Sequence, residues 1–303
     1  MIVTLRNSIP IASDKISDYI NGSITTALNN ITTDNDRFIV NDTIWYATKR
    51  KGGVSPCVVN SAPYLSKNFQ DNLAKINGWK GETTINGQNF DGYGEFELNG
   101  TAYRMKEENV VPFLHAYIKF SGVSEHLIYP YFSIFYGMYY KRELFNISNI
   151  PEELHHFFDK EEINSKIKVG VEFETGNIGS SFRAILKLNS LFMSNFIDLG
   201  VFITSNDKKN CACRIWPVSN RNGSFVELEN RNYRDNVNLP LLEIGFEPDS
   251  FDPTAPYLSE QCNTYVPTDT GKEITIDNLR YQVYLGNNND EILKPNSRQL
   301  EII

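Results

Sequence analysis

The chain has 303 residues, of which 41% are hydrophobic and 22% are charged, as is typical of a folded globular protein. Its formal net charge of −8 argues against a protein that coats nucleic acid by bulk electrostatic attraction, while leaving room for a local basic surface. The sequence MIVTLRNSIPIASD lacks the apolar core of a secretory signal, and the aromatic run at 127–140 is too short to cross a membrane.

The cysteines give no sign of a zinc site or a redox centre. Their spacing matches neither pattern, and we expect four reduced thiols in a cytoplasmic protein: Cys57, Cys211, Cys213 and Cys262.

The first 110 residues are rich in Gly, Asn and Thr and predict strands and loops around one helix near 62–76. Asn-Gly pairs at 77–78, 86–87 and 99–100 are typical of tight hairpin turns, and the last of them separates FEL from TAYRM. Residues 112–145 then change to longer apolar stretches of helical length. A short polar helix or the start of a strand is predicted at 151–162.

The segment IKVGVEFE at 167–174 alternates strictly and predicts a strand with one apolar and one polar face. Ser180 or Ser181 is a suitable N-cap for the helix that follows, in which apolar residues recur at helical spacing from Phe182 to Phe192. The apolar run IDLGVFITS at 197–205 predicts a central strand covered on both faces. This order favours a right-handed parallel βαβ unit within an α/β core.

Glu172 and Glu174 lie two residues apart, so both point to the polar face of this strand with Cα atoms roughly 6–7 Å apart. Two like charges in a buried setting require a cation or a proton. Carboxylate oxygens are ligands that Mg²⁺ prefers, and a bound divalent ion stabilises charge on a phosphate and activates water. The expected third acid is Asp159, with Glu162 as the next candidate.

An upstream acid followed by E-x-E on a strand, a helix and a buried strand resembles the PD-(D/E)xK nucleases. The segments VGVEFETGN, FRAILKLNSLF and IDLGVFITS are most similar to type II restriction endonucleases of the BamHI and BglII kind, in which Glu or Gln replaces the usual last Lys. The resemblance implies an α/β (α+β) fold, with a central mixed sheet flanked by helices. The resemblance covers roughly 155–205. Together with the strand and turn signals of the first 110 residues, it predicts a β-rich region for DNA recognition or dimerisation at 1–110 and a nuclease core with a C-terminal extension at 111–303.

By this resemblance Asp159, Glu172 and Glu174 hold one or two Mg²⁺ ions, with Glu162 as a further ligand, and Glu174 helps to position the attacking water. The implied function is a site-specific deoxyribonuclease of a prokaryotic restriction-modification system. It acts in the cytoplasm as a homodimer that cuts both strands of double-stranded DNA.

Basic residues predict where the DNA would bind, because phosphate neutralisation supplies much of the affinity. Segment 208–234 carries six basic residues against two acidic ones. Asn220, Arg221 and Asn222 are side-chain types that read base edges. The further expected contacts are Lys208, Lys209 and Arg214, the loop residues Lys49, Arg50 and Lys51, and the helix residues Arg183 and Lys187.

Other interpretations stay open at this point. The two glutamates would also suit a solvent-facing edge strand, and the basic residues would suit ordinary surface loops. A second EFE at 95–97 shows that the tripeptide alone is weak evidence. The alternative functions are a glycoside hydrolase, which needs carboxylates on opposite sides of a bond, and a non-catalytic β-rich binding protein.

Overall fold

A computed structural model describes residues 1–7, 14–57, 59–122, 147, 150–175, 178–206, 225–230, 237 and 239–296. Its helices are α1 (Asp14–Asn29), α2 (Ala62–Leu73), α3 (Glu107–Ser121), α4 (Ile178–Met193) and α5 (Phe225–Asn230), with a 3-10 helix at Glu152–Phe157. The strands of the first half are β1 (Ile2–Asn7), β2 (Ile39–Val40), β3 (Trp45–Thr48), β4 (Val54–Cys57), β5 (Trp79–Lys80), β6 (Thr83–Ile85), β7 (Gln88–Phe90) and β8 (Gly92–Met105). Those of the second half are β9 (Phe158–Glu174), β10 (Leu199–Ser205), β11 (Leu241–Glu247), β12 (Ser250–Phe251), β13 (Tyr257–Leu258), β14 (Thr264–Tyr265), β15 (Thr268–Ile276), β16 (Leu279–Leu285) and β17 (Glu291–Pro295).

The central sheet has six strands in the order β1-β11-β10-β9-β8-β5. β10 pairs in parallel with both β9 and β11, whereas the outer pairs β1–β11, β8–β9 and β5–β8 are antiparallel. The sheet is therefore mixed and lies between helices, which confirms the predicted fold class. The predicted βαβ unit is β9, α4 and β10.

Both faces of the sheet are covered, which explains why every residue of β10 is buried. Side chains of α1 and α2 pack with Ile167, Val169, Val171 and Phe173 of β9 in one apolar cluster. On the opposite face, α4 packs over β10 and β11 in a second cluster. The alternation of β9 thus places its apolar residues towards α1 and α2 and leaves Gly170, Glu172 and Glu174 on the α4 face.

Two paired glycines let α4 approach the sheet closely. Gly170 of β9 lies opposite Gly200 of β10, and a Cβ on either residue would come within 3.3 Å of a Leu188 methyl carbon of α4. The chain thereby brings the polar side chains of α4 near those of β9.

We expect Gly200→Ala to lower the free energy of unfolding by about 1–2 kcal/mol, because overpacking forces core side chains to shift. The added Cβ would lie 2.6 Å from Leu239 Cδ2 and 3.3 Å from Leu188 Cδ1. Urea denaturation measures the difference. Gly100→Ala is the matched control, because a Cβ there would meet no atom within 4 Å. Equal losses in the two variants would contradict the close packing of α4.

A long antiparallel ribbon extends from the sheet. β8 and β9 pair without interruption from Gly92 with Val171 to Met105 with Phe158, and in the described part of the chain residues 158–167 pair only with β8. The prediction of a hairpin at Asn99-Gly100 is wrong, because both residues are paired with β9 in one continuous strand. At the far end, α3 and the 3-10 helix close a small apolar cluster.

The other two Asn-Gly pairs, at 77–78 and 86–87, lie in turns. Asn86 and Gly87, with φ of 51° and 79°, form the turn of the β6–β7 hairpin. Gly78 lies just before β5 with a φ of 81°. Helix α2 confirms the helix that was predicted near 62–76, and α3 covers the start of the stretch expected to be helical at 112–145. The remainder of that stretch, from 123, lies outside the described residues.

A second, five-stranded antiparallel sheet has the order β15-β16-β17-β3-β4. Trp45 of β3 packs with Tyr257 and Ile292, and its indole Nε1 donates a hydrogen bond to the Tyr257 hydroxyl at 2.7 Å. Both sheets take strands from before and after residue 110.

Candidate active site

Glu172 lies near the carboxyl end of β9, on the face covered by α4. It is opposite Phe202 of β10 and only 8% exposed. Glu174, two residues on, shares this face and is half-buried. The expectation that the two glutamates lie on an inward-facing part of the strand agrees with this placement.

Asp91 supplies a second acid beside Glu172. It directly precedes β8, and its backbone N–H donates to the Val171 carbonyl at 3.1 Å. Its Oδ2 accepts a hydrogen bond from the Phe173 backbone N–H at 2.8 Å, and its Oδ1 accepts one from Gln70 Nε2 at 2.9 Å. These contacts fix the carboxylate against the end of β9.

Lys187 reaches the same place from α4. Its Nζ lies 2.6 Å from Glu172 Oε1 and also donates to the Asn89 carbonyl oxygen. The ammonium stands 5.4 Å from the centroid of the Phe90 ring, a cation–π distance. A positive charge therefore contacts an anionic oxygen, a carbonyl oxygen and an aromatic face.

Burial dominates the electrostatics of the two acids. It raises the pKa of Glu172 to about 7; Lys187 lowers this pKa, and Asp91 and Glu174 raise it further through charge repulsion. Burial also raises the pKa of Asp91, against the opposing effects of its two hydrogen bonds and of Lys187. Neighbouring acids whose pKa values are raised by burial are typical of functional sites.

The donor set suits a hard divalent cation. Among the residues that the structure describes, no three His, Cys, Asp or Glu side chains are arranged to hold a metal ion. Oxygen ligands are nevertheless present where the Lys187 ammonium lies, because it contacts a Glu172 oxygen and the Asn89 carbonyl and feels the charge of Asp91. Asp91 and Glu172, with Glu174 beside them, fit Mg²⁺ by chemistry and charge.

The structure does not bring the predicted ligands Asp159 and Glu162 together with Glu172. Asp159 lies on the same strand as Glu172 but thirteen residues earlier, which corresponds to roughly 40 Å of extended chain. It forms an ion pair with Lys106 at 2.9 Å. Glu162 is exposed on the ribbon and accepts a hydrogen bond from Thr101 at 2.6 Å.

The predicted DNA contacts on α4 have different surroundings. Arg183 is exposed and donates to the Ser180 hydroxyl at 3.2 Å, so its position remains compatible with a phosphate contact. Lys187 instead points into the acidic site.

The predicted basic loop forms the β3–β4 turn of the second sheet. Lys49, Arg50 and Lys51 are exposed there, and Gly52 and Gly53 adopt the positive φ values, 89° and 77°, that the turn requires. The remaining predicted contacts lie outside the described residues: Lys208, Lys209, Arg214, Asn220, Arg221 and Asn222.

Sequence reasoning missed Asp91. No local pattern marks it, because only the pairing of the strand that begins at Gly92 with β9 places the preceding acid next to Glu172. Glu95 and Glu97, which form the second EFE, are exposed on that strand.

Comparison with known proteins gives one family match. The family model described as restriction endonuclease BamHI matches residues 3–261, which include Asp91, both glutamates of the site and Lys187. Strands β14, β15, β16 and β17 lie beyond the match. No curated protein matches the chain significantly.

Proposed function

This chain belongs to the BamHI family of restriction endonucleases, and from that premise we propose that it is a type II enzyme. It cuts both strands of double-stranded DNA at a specific sequence by Mg²⁺-dependent hydrolysis of phosphodiester bonds. The observation that carries the proposal is the pairing of Asp91, which directly precedes β8, with the buried Glu172 of β9 around a cationic position.

Asp91 and Glu172 would hold the metal, with Glu174 as a third acid on the same face of β9. When bound, Mg²⁺ supplies charge stabilisation for the phosphate and a more acidic water. The chain contributes the fixed positions of its carboxylates. Asp91 is held by Gln70 and the Phe173 backbone, and such preorganised polar groups need little rearrangement during reaction. We assign Glu174 to orienting the attacking water.

The proposed DNA contacts come from basic residues outside the acidic site. Arg183 lies one helical turn from Lys187 and is exposed on α4. The turn residues Lys49, Arg50 and Lys51 would contact phosphates from the second sheet. The predicted contacts at Lys208, Lys209, Arg214, Asn220, Arg221 and Asn222 stay predictions.

We further propose a homodimer, because two copies related by a two-fold axis cut the two strands of a palindromic site most simply. The proposed setting is the cytoplasm of a prokaryote, where a restriction-modification system acts on incoming DNA. In keeping with a reducing compartment, Cys57 and Cys262 are not disulfide-bonded. Within the described part of the chain, none of the helices combines the length and hydrophobicity that crossing a bilayer requires.

Digestion of unmethylated phage DNA tests the proposal. The pure protein with Mg²⁺ is expected to give discrete bands, and chelation by EDTA is expected to stop cleavage. With Ca²⁺ in place of Mg²⁺, a gel-shift assay is expected to show binding without cutting. Sequencing of the fragment ends then gives the recognised bases and the cut position.

Intact phage DNA with both Mg²⁺ and Mn²⁺ would contradict the nuclease assignment, and a smear in place of bands would contradict the sequence specificity. The glycoside hydrolase alternative loses its support, because the chain's family is one of nucleases.

A further inference from the structure

Lys187 makes contacts that a surface lysine does not ordinarily make. Its side chain is 32% exposed, but its partner Glu172 is 11% exposed, so the ion pair is formed on the buried side of α4. The Asn89 carbonyl accepts a second hydrogen bond from the same ammonium, and the Phe90 ring lies beside it. Three groups that favour a cation thus converge on one nitrogen atom.

The Lys187 ammonium offsets the repulsion among the neighbouring carboxylates. Asp91 and Glu174 both repel the Glu172 carboxylate, and Glu172 is only 8% exposed. A charge-assisted hydrogen bond to a buried carboxylate is stronger than a neutral one, and its loss would leave the acids without compensation. The side chain that provides this compensation is tethered to α4.

We propose that Lys187 is an internal counter-ion, whose ammonium occupies the cation position of the acidic site and is displaced when a divalent ion binds. The inference rests on the proposed function for the identity of that ion as a metal. It changes the predicted role of Lys187 from a phosphate contact to an occupant of the metal site.

Displacement follows from charge and reach. An ammonium and a divalent ion cannot share the same oxygens, because two cations a few ångströms apart repel strongly in a site of low dielectric constant. Lysine has a flexible four-carbon stem with a compact charge at its end, and the exposed part of Lys187 gives that charge a path to solvent. Metal entry therefore releases the Lys187 ammonium towards solvent.

The first test measures Ca²⁺ affinity without DNA, by calorimetry at pH 8.5, where protons compete little with the ion. Lys187→Met is expected to bind Ca²⁺ about tenfold more tightly than the wild-type protein, because no ion pair has to be broken first. Lys187→Arg keeps the charge and is expected to keep the wild-type affinity within about threefold.

Lys67→Met is the control for loss of one positive charge. Lys67 forms an ion pair of similar length with Asp71, at 3.0 Å, but both side chains are about half exposed on α2. Its Ca²⁺ affinity is expected to equal that of the wild type. Unchanged or weaker binding in Lys187→Met, or no binding to any of these proteins, would overturn the inference.

A second test uses the wild-type chain and so does not depend on the folding of a variant. Lysines are acetylated briefly with and without Ca²⁺, and the modified positions are quantified by mass spectrometry. Acetylation of Lys187 is expected to be several-fold faster in the presence of Ca²⁺ than in its absence. The exposed Lys67 is expected to be acetylated at the same rate in both conditions. An unchanged rate at Lys187 would show that the ion does not displace it.

These results are separable from those on DNA cleavage. If the protein cuts no DNA but shows both Ca²⁺ effects, the counter-ion inference is supported and the proposed function is contradicted. If the protein cuts DNA but shows neither Ca²⁺ effect, the proposed function is supported and the counter-ion inference is contradicted.

Discussion

Asp91→Asn is expected to reduce the rate of DNA cleavage by about a hundred- to a thousandfold while the protein remains folded. The substitution keeps the shape of the side chain and removes one of the two carboxylates that would hold Mg²⁺. Rates are measured under single-turnover conditions with saturating Mg²⁺, and circular dichroism checks the fold.

Asp159→Asn is the matched control for this loss of charge. Asp159 is paired with Lys106 at the far end of β9, so its replacement is expected to leave the cleavage rate within about twofold of the wild type. The reverse result, an active Asp91→Asn and an inactive Asp159→Asn, would restore the acid predicted from the sequence and remove Asp91 from the site.

Glu172→Gln is expected to lose cleavage and, in EDTA at pH 8, to be more stable than the wild type by roughly 2–3 kcal/mol. The pKa of Glu172 is about 7 in the folded chain, above its ordinary value of 4.5. Folding therefore favours the protonated form, and wild-type stability falls as the pH rises from about 4.5 to about 7. Above pH 7 the charged Glu172 destabilises the folded wild type to its full extent. The Glu172→Gln variant carries no charge there and avoids this loss of stability.

Urea denaturation in EDTA at pH 8 and at pH 4.5 measures this effect. The advantage of Glu172→Gln is expected to shrink at the lower pH, where the folded wild type binds the proton. Glu97→Gln, at an exposed position of β8, is expected to change the free energy of unfolding by less than about 0.5 kcal/mol at either pH. A stability difference for Glu172→Gln that does not vary with pH would contradict burial of an ionisable Glu172.

Local sequence patterns predicted the strand–helix–strand unit formed by β9, α4 and β10. The alternation of IKVGVEFE, the helical spacing of α4 and the apolar run of β10 each follow from which faces are buried, and all three elements form. The predicted N-cap is wrong, because α4 begins at Ile178 and Ser180 and Ser181 lie inside it. The same alternation placed Glu172 and Glu174 together on the polar face. Interactions within a few residues were sufficient for these predictions.

The third acid depended on long-range pairing, which no local pattern reveals. Phe173, which binds the Asp91 carboxylate, lies 82 residues further along the chain. Asn99-Gly100 has a strong turn propensity, but pairing with β9 outweighs it and keeps the strand extended. Asp159 is close to Glu172 in sequence, but both residues lie on one extended strand, which places Asp159 far from the site.

Lys187 shows the same limit for a single side chain. Its charge and its position on a helix predict an exposed contact for phosphate, which Arg183 still offers. Its actual neighbours, Glu172 and the Asn89 carbonyl, come from two other elements. The close approach of α4 over Gly170 and Gly200 decides where the ammonium goes.

The uninterrupted ribbon formed by β8 and β9 gives the site a modular construction. Asp91 and Glu172 stand at the base of the excursion 92–171, one at its entry and the other at its exit, and the paired strands join them there. Removing equal lengths from both strands would preserve the register at the base, because each ladder pair depends on its immediate neighbours. The length and contents of the excursion are thus free to diverge while the distance between the two acids stays constant.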